Sequence, residues 1–369
     1  MGNPPNLKFA TENIEPFRPM NIRNHLLPGQ AIPALPLALD ANRKFSEKHE
    51  RALVRYYVDA GCGGLAVAVH STQFEIRDPA HGLFRPVLEL ASQTLDEKLS
   101  GTDKDFAKIA GVCGQTPQAV TEAETARSLG YHAVLASLAV FKEEAEETIL
   151  QHCHNVSEVL PLVGFYLQPA VGGRTLSYSF WRRFAEIPNA VAIKIAPFNR
   201  YQTLDVIRAV AESGRNDLAL YTGNDDNIVV DLLTPFRVTT PDGSVVERRI
   251  TGGLLGHWGV WARSSVALFA KICKARETGT ISLDWLDKAT AVTDMNAAIF
   301  DAANHFSGCI PGILEVLRRQ GLIPTNLCLN PHEALSPGQA EEIDRVTAAY
   351  PELIDDDFVR ENLDQWLSP

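Results

Sequence analysis

Ala190-Val191-Ala192-Ile193-Lys194-Ile195-Ala196-Pro197 sets one lysine among seven small or apolar residues. The run is short and rich in β-branched side chains. Pro188-Asn189 precedes it and Pro197 ends it. It reads as a strand buried on both faces, the kind found in parallel sheets. Lysine is almost never fully buried unless it is paired or functional. Burial disfavours the ammonium and lowers its pKa, and a neutral amine is what a Schiff-base nucleophile requires. The alternative is a lysine at a strand tip whose stem lies on apolar surface while its head reaches water.

Outward from this strand the chain alternates between strand and helix signals. Upstream, strands are expected over residues 31–40, 64–69, 109–113, 133–136 and 160–167. Helices are expected over 46–60, 86–91, 116–129, 142–159 and 177–186, with Ser46 as a cap candidate and Gly61 and Gly130 as stops. Downstream, a helix over 201–213 leads to a strand over 218–222 and a short helix over 226–233. Residues 238–248 read as a hairpin insert turning at Pro241-Asp242-Gly243. A strand over 250–255 and a helix over 260–276 follow. Eight strands alternating with helices over about 250 residues predict an α/β fold, a (β/α)8 TIM barrel. An open doubly wound sheet is the competing architecture. It is disfavoured because no strand is followed by GxGxxG; Gly252-Gly253-Leu254-Leu255-Gly256 is only a loose glycine cluster. From residue 281 the pattern is helical (283–305, 312–320, 337–349). The expected division is therefore a lead-in over 1–29, a barrel over 30–280 and a C-terminal helical extension over 281–369.

Hydrophobic residues make up 45% of the 369, enough for a large core, and the net charge is −11. That balance argues against nucleic acid or an anionic membrane surface as partner, since both call for basic patches. No apolar run reaches the ~20 residues of a membrane span, and residues 1–23 show no secretion signal. The six cysteines are scattered, with no CxxC pair, which suits reduced thiols in a cytoplasmic protein.

In such a barrel the active site lies at the C-terminal ends of the strands. Those ends offer His70, Ser71, Thr72 and Gln73 after strand two and Tyr166 and Gln168 on strand five. They offer Lys194 on strand six, Thr222, Asn224, Asp225 and Asp226 after strand seven, and His257 after strand eight. Tyr166 and Lys194 fall on adjacent strands and supply a nucleophile and a proton shuttle. A structural tyrosine with a satisfied hydroxyl is the competing reading for Tyr166. Ser71 and Thr72 supply hydroxyls and strand-end amides for a carboxylate, or else serve only the turn.

These residues resemble the dihydrodipicolinate synthase and N-acetylneuraminate lyase family, pyruvate-type class I aldolases built on a (β/α)8 barrel. Tyr166-Leu167-Gln168-Pro169 is similar to that family's Tyr-Asn-x-Pro segment. Pro188 to Lys194 is similar to its Pro-Asn-(apolar)-Gly-(apolar)-Lys segment, and the tyrosine–lysine spacing matches. Thr222-Gly223-Asn224-Asp225-Asp226 resembles its Ser-Gly-Asp-Asp segment. Residues 310–324 and 335–337 resemble its helical end, so the likeness covers roughly residues 30–350.

The resemblance implies that Lys194 forms an imine with pyruvate or another 2-oxo acid. It implies that Tyr166 relays protons and that Ser71 and Thr72 hold the carboxylate. It also implies a homo-oligomer, dimer or tetramer. No cofactor and no metal is called for. The departures are specific. His70 and Gln73 replace two glycines of the family's carboxylate loop and are expected to reshape that pocket. Residues 137–141 lack the tyrosine that joins the synthases' proton relay. Arg174 lies near, but displaced from, the basic position that grips their second substrate. Asn224 and His257 complete the expected substrate-binding set.

Two other functions compete. One is a metal-dependent barrel hydrolase or aldolase using His70, Glu75, His81, Asp225 and His257. The other is a non-catalytic keto-acid-binding barrel.

Overall fold

A computed structural model describes residues 20–368. Eight parallel strands form one sheet: β1 (Ala31–Pro33), β2 (Gly64–Val67), β3 (Ala107–Val112), β4 (Ala133–Ala136), β5 (Leu162–Leu167), β6 (Ala190–Ala196), β7 (Ala219–Thr222) and, after a hairpin of β8 (Phe236–Thr239) and β9 (Val245–Arg248), β10 (Gly252–Leu255). The order β1-β10-β7-β6-β5-β4-β3-β2 closes on itself. A parallel bridge joins Ala34 to Ala66, and the Leu35 N–H donates to the Ala66 carbonyl at 2.8 Å. The (β/α)8 barrel expected from the alternation is therefore the fold. The hairpin stands apart as its own antiparallel pair.

Each of the eight barrel strands is buried on both faces because one side meets the surrounding helices and the other the barrel interior. The interior has its own apolar cluster, including Ile32, Ala66, Ile109, Leu135, Val163, Phe165, Ala192, Ala196, Tyr221 and Leu254. A larger cluster fills the layer between strands and helices. The helix Glu47–Ala60 shows how the outer ring is delimited. It begins after Ser46 and stops at Gly61, whose φ of 96° is one that residues with a Cβ rarely adopt.

Four elements differ from the sequence reading. The first strand spans three residues rather than ten, since Pro33 and Pro36 have no N–H to give a sheet. The helix expected at 86–91 runs over Phe84–Leu99, with Pro86 tolerated in its first turn. The lead-in, expected to be irregular to residue 29, contains a helix over Ile22–Leu26; its first 19 residues lie outside the described ones. This helix plugs the N-terminal mouth. Ile22 and Leu26 join the interior cluster, Tyr221 donates its hydroxyl proton to the Leu26 carbonyl at 2.9 Å, and Arg23 donates to the carbonyls of Ala190 and Pro188.

The fourth difference is a helix at Asp356–Trp366, a further one beyond the three given bounds within the expected C-terminal helical extension. Trp366 packs on Tyr56 with ring centroids 5.4 Å apart and donates its indole N–H to Asp59 at 2.7 Å. This ties the chain's end back to the barrel's second helix. The other C-terminal helices are Asp284–Ile299, Cys309–Arg319 and Gln339–Ala349. The first two frame the C-terminal mouth, the end that stays open.

Candidate active site

Register decides what enters that mouth. Residues facing each other across two paired parallel strands share a face. On β5 and β6 the partners are Phe165 with Lys194, Tyr166 with Ile195 and Leu167 with Ala196; Lys194 also pairs with Tyr221 of β7. Phe165 and Tyr221 belong to the barrel interior, so Lys194 points inward with them. The pairing slips at the start of β6, where Leu162 faces Ala190 but Val163 faces Ala192. Val191 is the extra residue, and Val191 and Ala192 both belong to the interior cluster. Such a bulge changes the parity of everything after it.

Tyr166 therefore lies on the opposite face from Lys194, and the expected tyrosine–lysine pairing is corrected. Its ring is fully buried against Trp181, with centroids 5.2 Å apart. Its hydroxyl donates to the Leu176 carbonyl and accepts from the Leu176 N–H, both at 3.2 Å. Those two bonds leave it no free proton to relay. The competing reading, a structural tyrosine with a satisfied hydroxyl, is the one the geometry bears out.

Lys194 opens into a pocket at the strand ends, shared with His70, Ser71, Gln168, Asp225 and Cys309. Its Nζ lies 4.5 Å from the centre of the Phe165 ring. Burial pulls the amine below the ordinary lysine range, and the Asp225 carboxylate pulls the other way. Burial in turn raises Asp225, against the opposing pull of the His257 N–H, which donates to Asp225 Oδ1 at 3.2 Å, and of Lys194. Burial thus draws the two groups' pKa values toward each other, Lys194 downward and Asp225 upward. His70 is pushed down to about 4, first by burial and then by Lys194, so its imidazole is neutral.

Gly223 gives the lysine its passage. A Cβ on Gly223 would stand 2.7 Å from Lys194 Cε and 2.8 Å from Ala196 Cβ. The glycine is needed for close approach.

Of the other expected binding residues, Ser71 lines the pocket and the rest fall outside it. Thr72 donates to the Leu35 carbonyl at 2.6 Å and serves the turn. Ser71 also donates to Leu35, at 3.3 Å, yet lines the pocket. Gln73 points the other way and accepts the Leu329 N–H at 2.6 Å, holding the C-terminal region. Arg174 donates to the Glu144 carbonyl at 2.9 Å. Asn224 is consumed by the fold: it accepts from the Phe198 N–H at 3.0 Å and donates to Thr203 and Asp231. His257 contributes its backbone N–H to Asp225, and its buried ring Nδ1 has no hydrogen-bond partner. Thr72, Gln73, Arg174 and Asn224 are thus corrected from ligand contact to scaffold by the partners their polar atoms already have, and His257 by its place outside the pocket's lining.

Of the groups proposed for a metal, His81 is exposed at the surface. Among the described residues no three His, Cys, Asp or Glu side chains are grouped to hold an ion. Two contributions escaped the sequence reading. Asp225 was seen as one polar residue among four after strand seven and as a candidate metal ligand, not as the lysine's neighbour. The pocket's upper wall, Phe300, Phe306, Cys309 and Ile313, comes from the C-terminal extension. The Asp225 signal was present in the glycine-bearing segment Thr222 to Asp226; the wall had no local signal.

The model of the dihydrodipicolinate synthetase family matches residues 28–235. The 4-hydroxy-tetrahydrodipicolinate synthase of Thiobacillus denitrificans is 28% identical over 250 residues, spanning 67% of this chain and 74% of that protein. The dihydrodipicolinate synthase of Oceanobacillus iheyensis superposes with a TM-score of 0.68 at 16% identity, covering 89% of this chain and 98% of its own. The N-acetylneuraminate lyase of Fusobacterium nucleatum, solved with pyruvate, superposes with a TM-score of 0.67 at 16% identity, covering 88% and 97%. At such identities the superpositions speak for the barrel alone.

Proposed function

The chain belongs to the dihydrodipicolinate synthetase family, and from that premise we propose that it is a class I lyase whose Lys194 forms a Schiff base with pyruvate or a related 2-oxo acid. The observation that carries this is the position of the Lys194 amine, inward-facing in a strand-end pocket and held below the usual lysine range by burial. A solved relative of the same fold holds pyruvate.

On this reading the neutral amine attacks the ketone carbon. The former carbonyl oxygen takes up two protons and leaves as water, and the nitrogen stays bonded as an iminium. Asp225, beside Lys194 and with a raised pKa, supplies and recovers protons in these steps, the role expected of Tyr166. On the same reading the Ser71 hydroxyl, on the pocket lining, and the turn His70–Thr72 hold the 2-oxo acid's carboxylate. The iminium then accepts the electron pair when a C–C bond beside it breaks, or an enamine returns it when one forms.

Reduction with borohydride in the presence of pyruvate tests the proposal. The expected product is a covalent adduct on the peptide carrying Lys194, absent in Lys194→Met. A panel of 2-oxo acids that leaves no adduct on the native protein would overturn it.

A further inference from the structure

We propose that the carbonyl partner joined to, or released from, the Lys194-bound enamine is an aryl aldehyde, rather than a hydroxylated or second-carboxylate-bearing one. This rests on the Schiff-base reading and specifies its second substrate.

The first observation is the wall facing the lysine. Phe165, Phe198, Phe300 and Phe306 all line the pocket, with Ile313 behind them. Phe198 and Phe306 meet edge to face with centroids 5.9 Å apart, an arrangement that readily admits another ring.

The second observation is the fate of the polar side chains. Arg174, Asn224, Thr72 and Gln73, the residues suited to grip hydroxyls or a second carboxylate, are turned away and bonded to the fold. Among the described lining residues there is no arginine, and Lys194 is the sole lysine. A second carboxylate buried here would lose its water against carbon walls and the Asp225 carboxyl, with no cation to repay it. Besides Lys194, the polar side chains on the lining are His70, Ser71, Gln168 and Asp225, and with Ser71 given to the first carboxylate and Asp225 to proton transfer, a polyhydroxylated chain would have few partners to replace the hydrogen bonds it leaves in water. An aromatic ring loses nothing.

The third observation is how firmly the wall is held. Phe198 (φ 51°) and Phe306 (φ 66°) both occupy the left-handed region, costly for bulky residues. Asn224 pins the first through the Phe198 N–H. Asp301, itself at φ 56°, pins the second segment by accepting from the Gly308 N–H at 2.9 Å and from the Ser336 hydroxyl. Those hydrogen bonds hold the strained segments, and with them two rings, over the pocket.

The step is redox-neutral. In the forward direction the iminium of Lys194-bound pyruvate gives up a methyl proton to Asp225, and the enamine carbon so formed attacks the aldehyde carbon, forming one C–C bond. The aldehyde oxygen takes a proton from Asp225. Water then hydrolyses the iminium, releasing a 4-aryl-4-hydroxy-2-oxo acid and the free amine. Cleavage is the reverse.

The experiment uses the full-length protein with pyruvate and, in parallel, benzaldehyde, glyceraldehyde or succinic semialdehyde, alongside borohydride trapping of pyruvate alone. An adduct at Lys194 together with a kcat/KM for benzaldehyde about tenfold or more above both competitors is the expected result. An adduct with either competitor preferred overturns the aryl assignment and leaves the Schiff base standing. No adduct overturns the Schiff-base reading and this inference with it. Phe306→Ala and Phe300→Ala should each lower the benzaldehyde-to-glyceraldehyde ratio of kcat/KM, a ratio independent of how much variant folds. An unchanged ratio in both would overturn the assignment.

Discussion

The two faces of strands β5 and β6 use similar residues for opposite ends. On the inner face, Lys194 stands against Phe165 with Asp225 nearby, and its nitrogen is open to a pocket. One residue along, on the outer face, Tyr166 packs on Trp181 and Ile195 is fully buried, and the phenol is bonded twice to the Leu176 backbone. A polar group becomes reactive where its partners are few and ligand can reach it. The same group becomes scaffold where the backbone satisfies it. A single bulge at Val191 sets which side of that boundary each residue occupies.

The comparison is broken most decisively by removing the inner nitrogen. Lys194→Met should lower turnover by about 10³-fold or more and abolish the borohydride adduct. It should leave the protein folded, and more stable at neutral pH than the native chain. The sign follows from linkage. A lysine whose folded pKa is depressed binds fewer protons folded than unfolded, so native stability climbs with pH up to the unfolded lysine's value of about 10.4. The variant should lose that climb, which thermal unfolding across pH measures.

Asp225→Asn is expected to lower kcat by about 10²-fold, the usual scale of lost proton transfer. Its sharper signature is a pH profile. The Asp225 carboxylate raises Lys194, so its removal should move the acid limb of the trapping rate to lower pH. A limb that stays put or moves upward contradicts the coupling. Gly223→Ala should cost about 10²-fold by pushing the lysine stem aside, with the adduct forming more slowly and on the same residue.

The smallest effect belongs to the outer face. Tyr166→Phe should leave kcat/KM essentially unchanged while costing about 1 kcal/mol of stability, because the Leu176 N–H and carbonyl lose a buried partner. Kinetics and denaturation on the same preparation separate the two. A large fall in kcat would place the phenol back in the chemistry.

Much of this was legible in the sequence, and the limits have physical causes. The strand signals held wherever a run was apolar and free of proline, so Ala133–Ala136 and Ala190–Ala196 fell where expected. Pro33 and Pro36 cut the first strand short because a missing N–H matters only once a neighbour needs it. The helix Ile22–Leu26 was not visible because five residues carry too little periodicity; it is held by contacts to Ala190, Pro188 and Tyr221.

What the sequence determined by itself is the alternation of apolar runs and helices that closes a barrel, and the lysine in the sixth run. Both are local, since each strand states its own burial and a lone amine among aliphatic side chains stands out. Tertiary structure alone decided which face each polar residue meets and what roofs the pocket. Facing depends on register between strands, where one bulged residue reverses every side chain after it. The roof of Phe300 and Phe306 arrives from far down the chain, held by Asp301 rather than by any pattern around Lys194.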